Sequence, residues 1–157
     1  MTHRTAFEPA TALRAIYDPA SAPHSFRART REDAVAWQAA TRDALGAAVG
    51  FLDSPRVGPE PERVELVDKG GYTREKVVIR TAPQTSMPVY LLRPANVEPP
   101  YPVVVAFHGH GYGVKDIVGL WEDGSERDTP DGYHRDFGIA LCRQGFAVAA
   151  PEISCFG

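Results

Sequence analysis

One run of twelve residues constrains this chain more than any other: Pro102-Val-Val-Val-Ala-Phe-His-Gly-His-Gly-Tyr-Gly113. Val103, Val104, Val105, Ala106 and Phe107 are continuous, apolar and mostly β-branched, bounded by a proline and a glycine cluster. Such a run reads as a strand buried on both faces of a sheet. His108-Gly109-His110-Gly111 then turns the chain sharply at the strand's C-terminal end. In open α/β sheets, ligands bind just outside the carboxyl ends of the strands. The strand therefore predicts both a fold class and the place to look for a site.

The flanking pattern extends this prediction to an α/β architecture. Residues 64–67, 73–81 and 88–93 read as short strands joined by short turns, the signature of an antiparallel meander. Asp131 is positioned to cap a helix over residues 133–143, with Phe137, Ala140 and Leu141 on its apolar face and Gly145 ending it. Residues 146–150 read as a second buried strand. Strand, helix, strand is a βαβ unit, so the last two strands should run parallel. Upstream, residues 31–52 read as a helix. Val35, Trp37, Ala40, Ala44, Leu45, Ala48 and Leu52 recur at helical spacing, Thr30 or Asp33 is the cap, and Asp53-Ser-Pro55 ends it. Residues 1–29, rich in Pro, Ala and Arg, read as an irregular arm. The expected division is 1–62, arm and helical extension, and 63–157, the sheet domain.

Composition excludes several classes. A net charge of −3 gives no electrostatic footprint for nucleic acid or an anionic membrane. The N-terminus lacks the apolar stretch of a secretory signal, and no apolar run approaches the ~20 residues that span a bilayer. Cys142 and Cys155 do not make a disulfide framework, and Cys142 reads as a small core residue. A cytoplasmic setting is the expectation.

The segments Val104-Val-Ala-Phe-His-Gly-His-Gly-Tyr-Gly113 and Arg143-Gln-Gly-Phe-Ala-Val-Ala-Ala-Pro-Glu152 resemble the dienelactone hydrolase and acetyl xylan esterase-like branch of the α/β-hydrolases. A helix before the first strand, like residues 31–52, is similar to that branch too. The resemblance implies an α/β-hydrolase sheet with antiparallel strands leading into the βαβ unit. It implies that the loop after the strand is an oxyanion hole, with the His110 N–H as donor, Gly111 as a second backbone contribution, and His108 and Gly109 setting the loop geometry. The His108 side chain is expected to anchor the loop by hydrogen bonding. Tyr112 and Trp121 are candidates for an acyl or leaving-group pocket or, equally, cover for the core.

The family's serine, acid and histidine come later in chain order than this segment. No G-x-S-x-G elbow occurs. Ser154 sits in Glu-Ile-Ser-Cys-Phe without flanking glycines, and Cys155 has a glycine only after it. Chain order also rules out His108, His110 and His134 as the triad histidine. The expectation is thus an incomplete sheet, the N-terminal part of a serine carboxylic-ester hydrolase, inactive by itself, acting on a small-molecule ester and using no cofactor once completed. The alternative is a non-catalytic remnant or interaction subunit. In the family's strand order the strand of residues 103–107 has a further neighbour, so here it should present an open edge that pairs with a second polypeptide or another copy of the chain.

A metal reading competes for His108 and His110, which share one side of an extended strand. No third ligand stands at the usual spacing, and Tyr112 occupies the place of the Asp in HxHxDH hydrolases, so no metal is expected. Glu122, Asp123, Glu126 and Asp128 lack EF-hand spacing and read as a solvated acidic loop. Lys115 and Asp116 are expected to stabilise the turn after the His-Gly loop, in a stretch from Gly113 to Pro130 that reads as polar.

Overall fold

The structure, a computed structural model, describes residues 9–17, 22–50 and 55–156. The chain divides into two units, Met1–Asp53 and Ser54–Gly157. In the first, α1 spans Pro9–Ile16, inside the segment expected to be an irregular arm, where Pro9 at the first helical position is pre-organised for its turn. The longer helix, α2, spans Arg31–Ala48. Both cap candidates act together: Thr30 Oγ1 accepts the Asp33 N–H at 3.1 Å and the Asp33 carboxylate accepts the Thr30 N–H at 3.2 Å. This reciprocal capping box satisfies two amides that would otherwise be orphaned. Val49 is its C-terminal cap and Gly50 follows at a positive φ, so the helix ends before the proline. Phe51 and Leu52, expected in this helix, and residues 1–8, read as carrying no secretory signal, lie outside the described residues. Residues 22–30 fold back on α2, where Trp37 Nε1–H donates to the His24 carbonyl at 2.8 Å and the Phe26 ring meets Trp37 edge-on.

The second unit is an open mixed sheet of β1 (Glu62–Asp68), β2 (Tyr72–Ala82), β3 (Thr85–Pro94), β4 (Val103–Val105) and β5 (Ala147–Pro151). The spatial order is β1-β2-β3-β5-β4. The first three strands form the antiparallel meander, β3 pairs antiparallel with β5, and β4 pairs parallel with β5, Val104 opposite Val148. The fold is the α/β arrangement the sequence predicts.

Alternation in the strands separates two faces. Tyr72, Tyr90, Leu92, Val148 and Ala150 point to one side, where the 3₁₀ turn Gly113–Ile117 and α3 (Phe137–Arg143) cover them. Val114, Ile117, Val118 and Leu120 are all buried there, so the stretch after Gly113 is core rather than polar loop. Its apolar positions follow a 3₁₀ turn too short for helical periodicity to register. Cys142 is fully buried among them, and burial pushes its thiol up to about 11, so it stays a neutral core residue at neutral pH.

Two local expectations change. The helix begins at Phe137, not near Tyr133, because residues 131–136 form a turn with Gly132, Arg135 and Asp136 at positive φ, and Asp136 rather than Asp131 precedes the first helical residue. Gly145, at φ +97°, follows the cap as expected and donates its N–H to the Cys142 carbonyl. Secondly, β4 is not buried on both faces. Val103 and Val105 are 67% and 58% exposed. They point to the other side of the sheet, where Ile79, Met87, Val89, Val105, Phe107 and Ala149 line an open apolar groove of about 520 Å³. β4 is also the edge strand, paired on one side only among the described residues. No helix among these residues is long and apolar enough to cross a membrane.

Candidate active site

β4 and β5 run parallel, so their C-terminal ends lie together, and each carries one half of a clamp. Ala106 extends the β4 pairing by one more bond, its N–H donating to the Ala149 carbonyl at 2.9 Å. His108 then turns inward and is almost wholly buried. Its Nε2 lies 2.7 Å from Glu152 Oε1 and 3.0 Å from the Ile153 amide nitrogen, both just past β5, while its Nδ1 lies 2.9 Å from the carbonyl oxygen of Gly109. Glu152 also accepts the Val114 N–H at 3.2 and 3.3 Å, tying in the first turn of the 3₁₀ segment. Gly113 is required at this crossing: a Cβ there would lie 2.6 Å from Glu152 Oε1, and its φ of +75° is a left-handed conformation that suits glycine.

Behind the loop sits a buried charged cluster. Asp116 is fully buried, and Arg127 meets it twice, Nη1 to Oδ1 at 3.2 Å and Nη2 to the backbone carbonyl at 3.0 Å. Arg127 also pairs with Asp136 and contacts the Tyr112 hydroxyl. Its guanidinium carbon lies 5.5 Å from the Tyr112 ring centroid and 5.3 Å from that of Trp121. The two pocket candidates thus gather on one arginine, each in cation–π range. Asp116 Oδ2 stands 2.7 Å from where a Cβ on Gly111 would be, so the glycine lets the loop lie against the carboxylate. The expectation that Asp116 steadies this turn describes its position. Lys115 reaches the Glu122 carbonyl at 3.0 Å.

The acidic loop is not simply solvated. Glu126 pairs with the buried Arg74 and with Lys69, and the Arg74 hydrogen bond holds its carboxyl below the usual range. Asp123 takes the Ser125 N–H and hydroxyl. Alternating acids and turn residues look alike whether the acids face water or a buried arginine 52 positions away, so the sequence carried no signal for this pairing.

What remains at the tip is a pair of free donors. His110 and Gly111 are exposed, and no protein acceptor meets either backbone N–H among the described residues. On the segment after β5, the Phe156 ring lies 5.1 Å from His108 and 6.3 Å from His110. Ser154 and Cys155 are exposed beside it, without a base in hydrogen-bond reach among the described residues. No group of three His, Cys, Asp or Glu side chains is placed to hold a metal ion among them either.

This arrangement has a known counterpart. The Abhydrolase family profile matches residues 13–155. The chain belongs to the Abhydrolase family. The match takes in part of α1 and all of α2 as well as the sheet. Among solved structures, the chain is similar to a Bacteroides fragilis protein provisionally described as an acetyl xylan esterase, with a TM-score of 0.65 at 18% identity. At that identity the likeness is one of fold. It covers 92% of this chain and 36% of that one, so the chain spans about a third of the length of the protein it matches. No curated protein matches the sequence.

One contact in the site was not read from the sequence. His134 Nε2 accepts the Gly109 N–H at 3.0 Å. Chain order set His134 aside as a triad residue, and a separation of 25 positions leaves no local pattern linking it to the loop.

Proposed function

We propose that residues 63–157 form the oxyanion-hole half of a serine carboxylic-ester hydrolase. The His110 N–H, with Gly111 contributing a second donor, meets the developing negative charge on the acyl oxygen. Serine, acid and histidine come from outside residues 1–157. The reaction is acyl transfer: serine attack, an acyl-enzyme, then hydrolysis, with no cofactor. The observation that carries this reading is the N–H of the exposed His110, which meets no protein acceptor among the described residues, just past the C-terminal end of β4 on a loop whose neighbours on either side are fixed by His108, Glu152 and Asp116. A donor aimed in advance costs no reorganisation as charge develops, and one such donor is worth roughly 3 kcal/mol. The substrate class is a small carboxylic ester, and the setting is the cytoplasm.

The test exploits the fact that the donor is backbone. In a hydrolase completed by the rest of the domain, His110→Ala keeps the N–H and should leave kcat on p-nitrophenyl acetate within about threefold, while His110→Pro removes it and should lower kcat roughly 10²- to 10³-fold. Equal losses in the two variants would sink the oxyanion assignment. Residues 1–157 alone should show no serine-type burst.

A second reading rests on a different observation. Val103, Val105 and Phe107 are all more than half exposed at an unpaired sheet edge. An edge of that kind is a template for another strand. On this reading the chain is an interaction subunit that completes its sheet with a second polypeptide or a second copy, and sedimentation of the purified chain as a monomer at high concentration would count against it.

A further inference from the structure

We propose that His134 is a positioning residue for the oxyanion loop: its unprotonated Nε2, by holding the Gly109 N–H, fixes the direction in which the His110 N–H points. The inference rests on the reading of His110 as the donor and adds what sets the donor's aim.

The argument starts from the peptide plane. A trans peptide holds its C=O and N–H antiparallel in one plane. The peptide that bears the His110 N–H bears the Gly109 carbonyl at its other end, and that oxygen lies 2.9 Å from His108 Nδ1. With the carbonyl turned in to His108, the His110 N–H is turned out, into the space where no protein acceptor meets it among the described residues. Gly109 has two soft dihedrals of its own, so pinning one flanking peptide does not fix the loop. The other flanking peptide carries the Gly109 N–H, and His134 Nε2 holds it at 3.0 Å. Both peptides around the Gly109 Cα are then held. A Cβ on Gly109 would come within 3.0 Å of His134 Cε1, so the glycine also makes the room in which the imidazole sits.

His134 is itself placed by the buried cluster. Its backbone N–H donates to Asp116 Oδ2 at 3.3 Å, and Asp116 is held by Arg127. Its ring lies between Tyr133 and Phe137, at 4.9 and 6.1 Å. The charged and titratable groups packed about this turn are Asp116, with Arg127 and the Tyr112 hydroxyl behind its carboxylate, and Asp131, Tyr133, Arg135 and Asp136 of the turn itself. The Gly109 bond has a chemical condition. Nε2 accepts only while it carries no proton, so the ring must be neutral with its hydrogen on Nδ1. Protonation would set one N–H against another and release the Gly109 peptide.

Nuclear magnetic resonance on the ¹⁵N-labelled 157-residue chain tests this. A scalar coupling across the Gly109 N–H···Nε2 bond should be present with His134 neutral and vanish as the ring titrates, and the Gly109 amide shift should follow that same titration. In His134→Phe, Gly109 amide exchange should quicken roughly tenfold, and in His134→Gln, whose side-chain oxygen accepts at any pH, protection should largely return and its pH dependence disappear. A merely structural histidine would not tie one glycine amide to its own titration. Absence of the coupling together with a Gly109 amide indifferent to the His134 titration overturns the proposal, and both readings come from the wild-type chain, whether or not the variants fold. A coupling that is present in a hydrolase whose kcat ignores His110→Pro would leave the His134 link standing and remove the oxyanion reading instead.

Discussion

Glu152, one residue past β5, places its carboxylate 2.7 Å from the Nε2 of His108 and thereby locks the ends of two parallel strands together. The same carboxylate takes the Val114 N–H, so one side chain joins β4, β5 and the 3₁₀ turn. Glu152→Ala would leave the buried Val114 N–H without its acceptor, while the His108 ring keeps the Ile153 amide and the Gly109 carbonyl. We expect a loss of about 1–3 kcal/mol, read as a lower denaturation midpoint at unchanged m-value. An unaltered midpoint would mean that solvent already satisfies that N–H.

Gly113 separates crowding from backbone strain. An alanine Cβ there meets Glu152 Oε1 at 2.6 Å and must also adopt φ +75°. Gly124 has φ +86° with nothing within 4 Å of its would-be Cβ. Gly124→Ala should therefore cost only the left-handed penalty of roughly 1 kcal/mol, and Gly113→Ala roughly 1–3 kcal/mol more. Thermal unfolding of the two variants side by side checks the difference, and equal costs would show that Glu152 moves aside freely.

What could be read in advance depended on how local the signal was. The meander, β4, β5 and the α2 cap follow from alternation, apolar runs and a Thr30-to-Asp33 spacing, all of which act within a few residues. α1 escaped because eight residues give helical periodicity little length to declare itself. The depth of β4 is not legible in its sequence, because Val103 to Val105 look alike at an edge and at a centre, and strand order is a tertiary fact. The His-Gly loop announced itself by its glycines. Of its supports, Asp116 is expected beside the turn, but Glu152, Arg127 and His134 reach it from 44, 15 and 25 positions away, and no spacing rule connects them. The core residues Val114 to Leu120 were hidden for the opposite reason, since a tight 3₁₀ turn buries them in an order that neither helix nor strand periodicity detects.

The ion pair of Arg74 with Glu126 should appear in the acid limb of stability. The Arg74 hydrogen bond lowers the folded carboxyl below its ordinary value. Between the two values the unfolded chain binds the extra proton, so the contribution is complete above about pH 4.3 and is lost as pH falls through the lowered folded value. Glu126 is 44% exposed, which limits the effect to about 1 kcal/mol after screening. The stability difference between wild type and Glu126→Gln should therefore shrink on acidification. A difference that is constant from pH 6 to pH 3 would remove the pair from the account.

The open edge of β4 can be probed without disturbing its pairing. The Pro102 carbonyl and the Ala106 N–H face β5, so by alternation the backbone groups of Val103 and Val105 face away from it. Val105→Pro deletes one outward N–H and leaves the β5 ladder intact. If a strand from another polypeptide or a second copy docks there, the substitution should weaken that association at least tenfold while the unfolding midpoint of the unassociated chain shifts by less than about 1 kcal/mol. Val105→Lys should act likewise by charging the 58% exposed position, as natural edges are charged. Sedimentation velocity over a hundredfold concentration range separates the cases. Association that survives both substitutions would place the contact elsewhere, and the apolar groove on the same face would become the next surface to mutate.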